Sequence, residues 1–308
     1  MYERKRVIKI WSVILLTAWL VFGILGIVQK GRDVWAMPFY QLQPKNIVKR
    51  SCFYTSYTSS TEERKSNIAL ACKSLNNTLV DVNGEFSFNR TVGARTEKNG
   101  YKTSKIIVGG EFVDGVGGGV CQVSTTLYNA VLLAGLRITE KHPHSLPVSY
   151  IAPSFDAMVN SGSADLRFIN NTNNPIIIKA FANGSRLNIE IWGEPLEVTY
   201  IRQSVITGEI PAPVEREVVD EKGEYPELYE GDKLVLRYSK TGLTSEGYII
   251  TKQKEKIVSV EKIRSDRYNA QRGVIVVGTT PKEQTQDEMM IGEKAHLLKG
   301  ALLLDFML

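Results

Sequence analysis

From Ile10 to Val28 the chain carries no charged residue and is rich in Ile, Leu, Val and Trp. At a helical rise of about 1.5 Å per residue the stretch reaches about 28 Å, close to the hydrocarbon thickness of a bilayer. It is apolar all round, unlike a core helix with one buried stripe. Arg4, Lys5, Arg6 and Lys9 precede it and favour a cytoplasmic N-terminus, an asymmetry that Lys30 and Arg32 weaken but do not reverse. The competing reading is a signal peptide cut after Ala36. The run is long for that, and Trp35 suits a cleavage site poorly. The expectation is a single-pass anchor in the cell membrane, with the bulk of the chain extracytoplasmic.

The periodicity then shortens. Tyr54 to Thr61 alternates aromatic and hydroxyl residues and predicts an extended segment. Ile68, Leu70, Ala71, Leu75 and Leu79 recur at helical spacing and predict a helix over Glu62 to Leu79. Asn83-Gly84 predicts a turn into a short strand, Glu85 to Phe88. Gly109-Gly110 joins Lys105–Val108 to Glu111–Val113 as a hairpin. Val123, Leu127, Ala130, Val131 and Ala134 predict a buried helix face ending near Gly135. Leu146–Ile151, Asp165–Ile169, Ile176–Phe181 and Leu187–Ile191 read as strands. From Val198 short Val/Ile segments alternate with Glu, Lys, Gly and Pro. The fold class expected is α+β: a transmembrane helix, a mixed helix and antiparallel-sheet domain of catalytic type, then an elongated all-β module. The divisions are an anchor to 35, a linker over 36–52, a first domain over 53–195, a β module over 196–280 and a tail over 281–308. The tail reads as a helix, Gln286 to Leu308.

With 43% hydrophobic and 23% charged residues the chain is ordinary globular material, which sets disorder aside. The net charge of +5 is dispersed with no Lys/Arg block, so no nucleic-acid partner is expected. It is compatible with mild attraction to an anionic envelope surface. Three cysteines, Cys52, Cys72 and Cys121, leave at least one thiol unpaired within an exported chain. Cys52 and Cys72 are able to pair or to serve as small buried hydrophobes; sequence does not choose.

Cys121 carries the sharpest chemistry. It follows Gly115, Gly117, Gly118 and Gly119 and opens a helical pattern. A helix mouth offers unpaired N–H groups and a positive dipole end, which favour a thiolate. Glycine N–H groups also suit an oxyanion hole, here at Gly118 and Gly119. A nucleophile needs a base, and of the three histidines His142 and His144 precede the Leu146 segment while His296 lies in the tail. Asp156 or Asp165 would orient the imidazole. The bland reading is that Cys121 fills a tight packing point. No cofactor is expected. His142-Pro143-His144 is weak as a zinc signature, so no metal site is expected either. The glycines are not a phosphate loop, since no Gly-Lys-Ser/Thr follows.

Several stretches, in order, resemble the VanW-like proteins: Gly117-Gly-Gly-Val-Cys-Gln-Val-Ser-Thr-Thr-Leu-Tyr-Asn-Ala130, Gly84 to Asn89, Glu140 to Tyr150, Asp156 to Val159, and Asp165 to Phe168 with Asn170-Asn171. Some members of that family have been assigned L,D-transpeptidase activity on peptidoglycan. The resemblance implies Cys121 as nucleophile and His144, paired with Ser145, as the histidine. It makes Gln122, Ser124, Thr125 and Ser145 candidates for contact with substrate. Met158 departs from the family's usual Thr and weakens the transfer of a role to Asp156. Residues 198 to 280, with Gly231, Gly242, Gly247 and Val276-Val-Gly278, resemble the G-five module, which implies amino-sugar polymers as ligands or a spacer role. The expected function is cysteine-dependent cross-linking of peptidoglycan stem peptides in the envelope. The alternatives are a non-catalytic glycan-binding protein associated with glycopeptide resistance, and a cysteine peptidase or amidase with water as acceptor.

Overall fold

The structure, a computed structural model, describes residues 47–282. The Ile10–Val28 span, the predicted helix Gln286–Leu308 and His296 lie outside the described residues. Among the described residues no helix is long and apolar enough to cross a membrane. What is described is a mixture of helix and mainly antiparallel sheet, with most elements strands.

The first part opens with β1 (Val48–Ser56), which starts inside the stretch expected as linker and ends where the alternating segment had been predicted. α1 (Glu62–Leu75) follows, capped by the Thr61 hydroxyl, which accepts from Arg64 N–H. This helix stops four residues short of the predicted end. Asn77 adopts a positive φ of 63°, the chain turns into β2 (Thr78–Val80), and Leu79 is exposed instead of joining the apolar face. β3 (Glu85–Ser87), the short α2 (Phe88–Val92), and the hairpin of β4 (Thr103–Val108) with β5 (Glu111–Val116) come next. Gly109 and Gly110, both at positive φ, make the hairpin turn.

α3 (Val120–Leu133) is the centre of the core. Val123, Leu127, Tyr128, Ala130 and Val131 are fully buried. One side packs on β1 and β9 (Arg186–Gly193) in the sheet of order β1-β9-β8-β2, where β8 spans Ile176–Ala182. Ile176, Ile178 and Ala180 alternate inward with Leu187, Ile189 and Ile191, the period-2 pattern of a half-buried sheet. A second sheet, β3-β7-β6, adds β6 (Arg137–Glu140) and β7 (Arg167–Ile169). The predicted strand Leu146–Ile151 does not form. Pro143, Pro147 and Pro153 punctuate that region, proline lacks the ladder donor, and the segment is loop. The strand lies earlier, at β6, whose short sequence carries little periodicity.

The remainder is all β. β10 (Thr199–Ile210), β13 (Gly242–Gln253) and β14 (Lys256–Tyr268) form one antiparallel sheet. β11 (Arg216–Val219), β12 (Lys233–Arg237) and β15 (Val274–Val277) form another, in which β11 and β15 run parallel. The first of these sheets packs directly on the α3 region. Arg202 on β10 hydrogen-bonds Asn129 and lies over the rings of Phe53 and Phe155, at 4.2 Å and 4.8 Å. Gly135 sits against the Tyr200 ring, which an added Cβ would meet at 2.5 Å.

Candidate active site

The start of α3 differs from that of α1. Its N-cap is Gly119, at φ 108°, so no side chain occupies the first N–H groups of the helix. Gly118 passes so close to β4 that a Cβ there would stand 2.7 Å from the Lys105 carbonyl oxygen. These two positions therefore require glycine: one for its backbone angle, the other for its approach. Among the described residues, the N–H groups of Gly118, Gly119 and Cys121 find no backbone acceptor. The three residues line a cleft of about 690 Å³, together with residues from α1, the β4–β5 hairpin and the loops around His144 and Val159.

Cys121 stands in the first turn of α3, half-buried, with its Sγ 3.3 Å from the Val159 carbonyl oxygen. His144 is buried, and both its backbone N–H (2.6 Å) and its Nδ1 (2.7 Å) donate to one oxygen of Asp156. With Nδ1–H spent on Asp156, the other ring nitrogen is left free to act on Cys121, and the charges of the two groups favour each other. Burial pushes the Cys121 thiol up. The His144 hydrogen bond and charge, with smaller help from Val159 and Arg95, outweigh it and leave the thiol below its ordinary value. Burial pushes His144 down, and Asp156 and Cys121 more than reverse this, to about 9. Both directions favour a thiolate–imidazolium pair. Cys72 is the contrast: it has no such partner, and burial lifts it to about 12. All three cysteines are free thiols. Cys52 is exposed on β1 and Cys72 is buried on the inner face of α1, and the two do not pair.

Asp156 is held from beyond the first part of the chain. Its second carboxylate oxygen accepts from the Tyr268 hydroxyl at 2.6 Å, and its backbone oxygen from Arg264 at 2.7 Å. Arg264 is itself fixed by Asp266 at 2.6 Å. Burial disfavours the Asp156 charge, but His144, Arg264 and Tyr268 outweigh that and hold its carboxyl below the usual range. Arg264, Asp266 and Tyr268 alternate along β14, which places them on one face of the strand. Reasoning from sequence missed them. The signal available was the i, i+2, i+4 run of polar residues in a strand otherwise read as part of a separate module.

Several expected site residues bond to the surrounding scaffold. Asp165 lies away from His144 and outside the cleft lining. Its carboxylate accepts from Ser87 Oγ (2.6 Å), Asn89 N–H, Leu166 N–H and Arg167 Nε, tying β3 and α2 to β7. Gln122 reaches the cleft wall, but its amide is engaged on both ends: it donates to Thr55 Oγ1 and the Ser56 carbonyl, and accepts from Arg64. Ser124 and Thr125 are fully buried and bind the Ala157 backbone, which fastens the Asp156 segment to α3. Neither is among the residues lining the cleft. Ser145, Gly118 and Gly119 do line the cleft, as do Met158, Tyr150 and Arg95. His142 pairs with Glu140 at 3.0 Å, apart from the thiol. Among the described residues no group of three or more His, Cys, Asp or Glu side chains is placed to hold a metal ion.

Residues 63–192 match the family model described as "VanW like protein". The chain is 43% identical over 151 residues to "Uncharacterized protein YoaR" of Bacillus subtilis (strain 168), covering 49% of this chain and 50% of that one. It is 31% identical over 116 residues to "Vancomycin B-type resistance protein VanW" of Enterococcus faecalis (strain ATCC 700802 / V583), covering 36% and 42%. The chain thus spans about half the length, or less, of these curated relatives. Among solved structures, "IgA1 Protease G5 domain structure" is similar at 23% identity, over 27% of this chain and 92% of that one, with a TM-score of 0.18. "Crystal structure of HP0197-G5" is similar at 19% identity, over 27% and 100%, with a TM-score of 0.15. Motif, family match and relatives agree: residues 63–192 of this chain match the VanW-like family.

Proposed function

We propose that this is a cell-envelope protein associated with glycopeptide resistance, and that it is a cysteine-dependent acyl transferase of L,D-transpeptidase type acting on peptidoglycan stem peptides. The observation that carries the reading is the buried His144–Asp156 pair set against a thiol at an uncapped helix mouth. A protein that only binds glycan has no need of a depressed thiol. The anchor over Ile10–Val28 would hold the domain near the outer membrane face. The β module would act as a spacer or bind amino-sugar polymers.

The reaction begins from the ion pair. The Cys121 thiolate adds to a carbonyl carbon of the donor stem, and the carbonyl oxygen takes the negative charge beside the open N–H groups of Gly118, Gly119 and Cys121. Collapse breaks the C–N bond to the terminal D-amino acid, whose amine takes the proton from His144, leaving a thioester. The acceptor amine then attacks the thioester and gives a proton to His144. The new amide forms as the thiolate departs. Asp156 is a positioning residue: it fixes the imidazole and carries no proton itself. Product analysis on defined muropeptides tests the reading. Transfer predicts cross-linked dimer that is absent with Cys121→Ala. Hydrolysed monomer alone would identify a peptidase, and full cross-linking by Cys121→Ala would overturn the proposal.

A further inference from the structure

Four cations line the cleft above Cys121, namely Arg64, Arg95, Lys105 and Arg267, and no Asp or Glu is among the lining residues. Two of the four are engaged, and Arg267 is exposed on β14, where water can solvate it. Lys105 pairs with Asp114 at 3.0 Å, and Arg64 donates to the Gln122 amide oxygen at 3.0 Å. Arg95 is different. Its one side-chain hydrogen bond goes to Asn89 Oδ1, a neutral acceptor; among the described residues no carboxylate forms an ion pair with it, and the Asp165 charge reaches it only at longer range. It is partly buried, and its field reaches Cys121. A guanidinium taken partly out of water without a directly paired carboxylate is unfavourable alone and well suited to a ligand that supplies one, since its fork matches a carboxylate with two parallel bonds. The walls beside it are apolar: Ile106, Val108 and Phe112 from the hairpin, and Val148 and Met158 opposite. Phe112 and Val108 are exposed there with nothing packed over them.

We propose that Arg95 is the specificity-determining residue of this cleft, binding a free carboxylate of the substrate beside the carbonyl that Cys121 attacks. The ligand is then a peptide whose scissile amide precedes a carboxyl-terminal residue, so that the leaving amino acid carries the recognised carboxylate. Internal peptide bonds and amidated termini are poor substrates. This deepens the acyl-transfer reading and rests on it.

A pair of alkylating probes separates the two claims. Iodoacetate and iodoacetamide form the same bond from Sγ to carbon and release the same iodide, and they differ in one carboxylate. Their rates at Cys121 are read in the full chain by peptide mass spectrometry, with the exposed Cys52 as internal reference. The iodoacetate to iodoacetamide ratio at Cys121 is expected to exceed that at Cys52 by about tenfold, to shrink with added salt, and to fall by about tenfold in Arg95→Gln. Arg95→Lys, which keeps the charge and loses the fork, should retain part of the preference. Equal ratios at Cys121 and Cys52 in the unaltered protein overturn the inference without any variant, as does a ratio that Arg95→Gln leaves unchanged. If Cys121 reacts fast with both probes yet shows no preference, the nucleophile stands and the carboxylate site falls. A Cys121 unreactive toward both removes the site together with the reading beneath it. A strong preference without transfer on muropeptides keeps the anion site and removes the transpeptidase.

Discussion

Replacing Tyr268 by Phe removes a single oxygen from β14, far along the chain from the thiol it is held to serve. The ring is buried, at 1% exposure, so Phe keeps its packing and leaves no large cavity. What goes is the hydroxyl that donates to Asp156 at 2.6 Å and accepts from Ser154 N–H at 2.7 Å. A hydrogen bond to a charged group contributes roughly 1.5–3 kcal/mol, and a buried N–H left without its acceptor costs about 1–3 kcal/mol. Asp156 retains both His144 bonds and Arg264, so the loss stays partial, about 3 kcal/mol. Denaturant unfolding followed by tryptophan fluorescence measures it. Tyr128→Phe is the matched control. That ring is also fully buried, but its hydroxyl, beside Arg264, has no partner in hydrogen-bond geometry, so its removal should change stability by less than about 1 kcal/mol. A looser Asp156 also places the imidazole less well, so turnover in Tyr268→Phe should fall about tenfold at unchanged KM. Equal stability costs for the two variants would refute the account of how Asp156 is held.

Alkylation of Cys121 by iodoacetamide should rise with an inflection below pH 9, because the thiol is depressed, while Cys72, raised to about 12, stays inert in the folded chain. His144→Gln leaves burial unopposed by the imidazolium, so the inflection should move upward and the rate at pH 7 fall at least about tenfold. Asp165→Asn should lower stability by about 1–3 kcal/mol and leave the Cys121 profile where it was, since its partners are Ser87, Asn89, Leu166 and Arg167; Asp156→Asn should depress Cys121 reactivity directly. Gly118→Ala, whose Cβ would meet backbone at 2.7 Å, should destabilise the chain by about 1–3 kcal/mol in a thermal melt and disorder the mouth of α3.

The helix that carries Cys121 was readable from sequence because glycines and then apolar residues at helical spacing mark a stop and a start that no long-range contact needs to supply. The Gly109-Gly110 hairpin was readable for the same reason, its turn chemistry being local. The end of α1 was not, because Leu79 continues the helical pattern while Asn77 turns the chain into β2, and pairing with β8 decides the outcome. The choice between Asp156 and Asp165 was also closed to local reasoning. Both carboxylates are buried and both collect several donors, and only the path of the 142–158 loop brings one of them to His144. Ser124 and Thr125 were candidates because they sit in the motif beside Cys121, yet helix geometry turns them inward, where they fasten the Asp156 loop. Tyr268 and Arg264 lie more than 100 residues from Asp156, and nothing in a single sequence joins them to it.

The central claim is that Cys121 becomes an acyl carrier. Intact-mass measurement after brief mixing of the full chain with a defined donor tetrapeptide stem, quenched in acid without acceptor, addresses it directly. The account predicts a mass gain equal to the donor less its terminal amino acid, carried on the peptide containing Cys121, discharged by added acceptor amine and absent in Cys121→Ala. A cross-linked product appearing with no adduct on Cys121, or an adduct mapping to another residue, would contradict it.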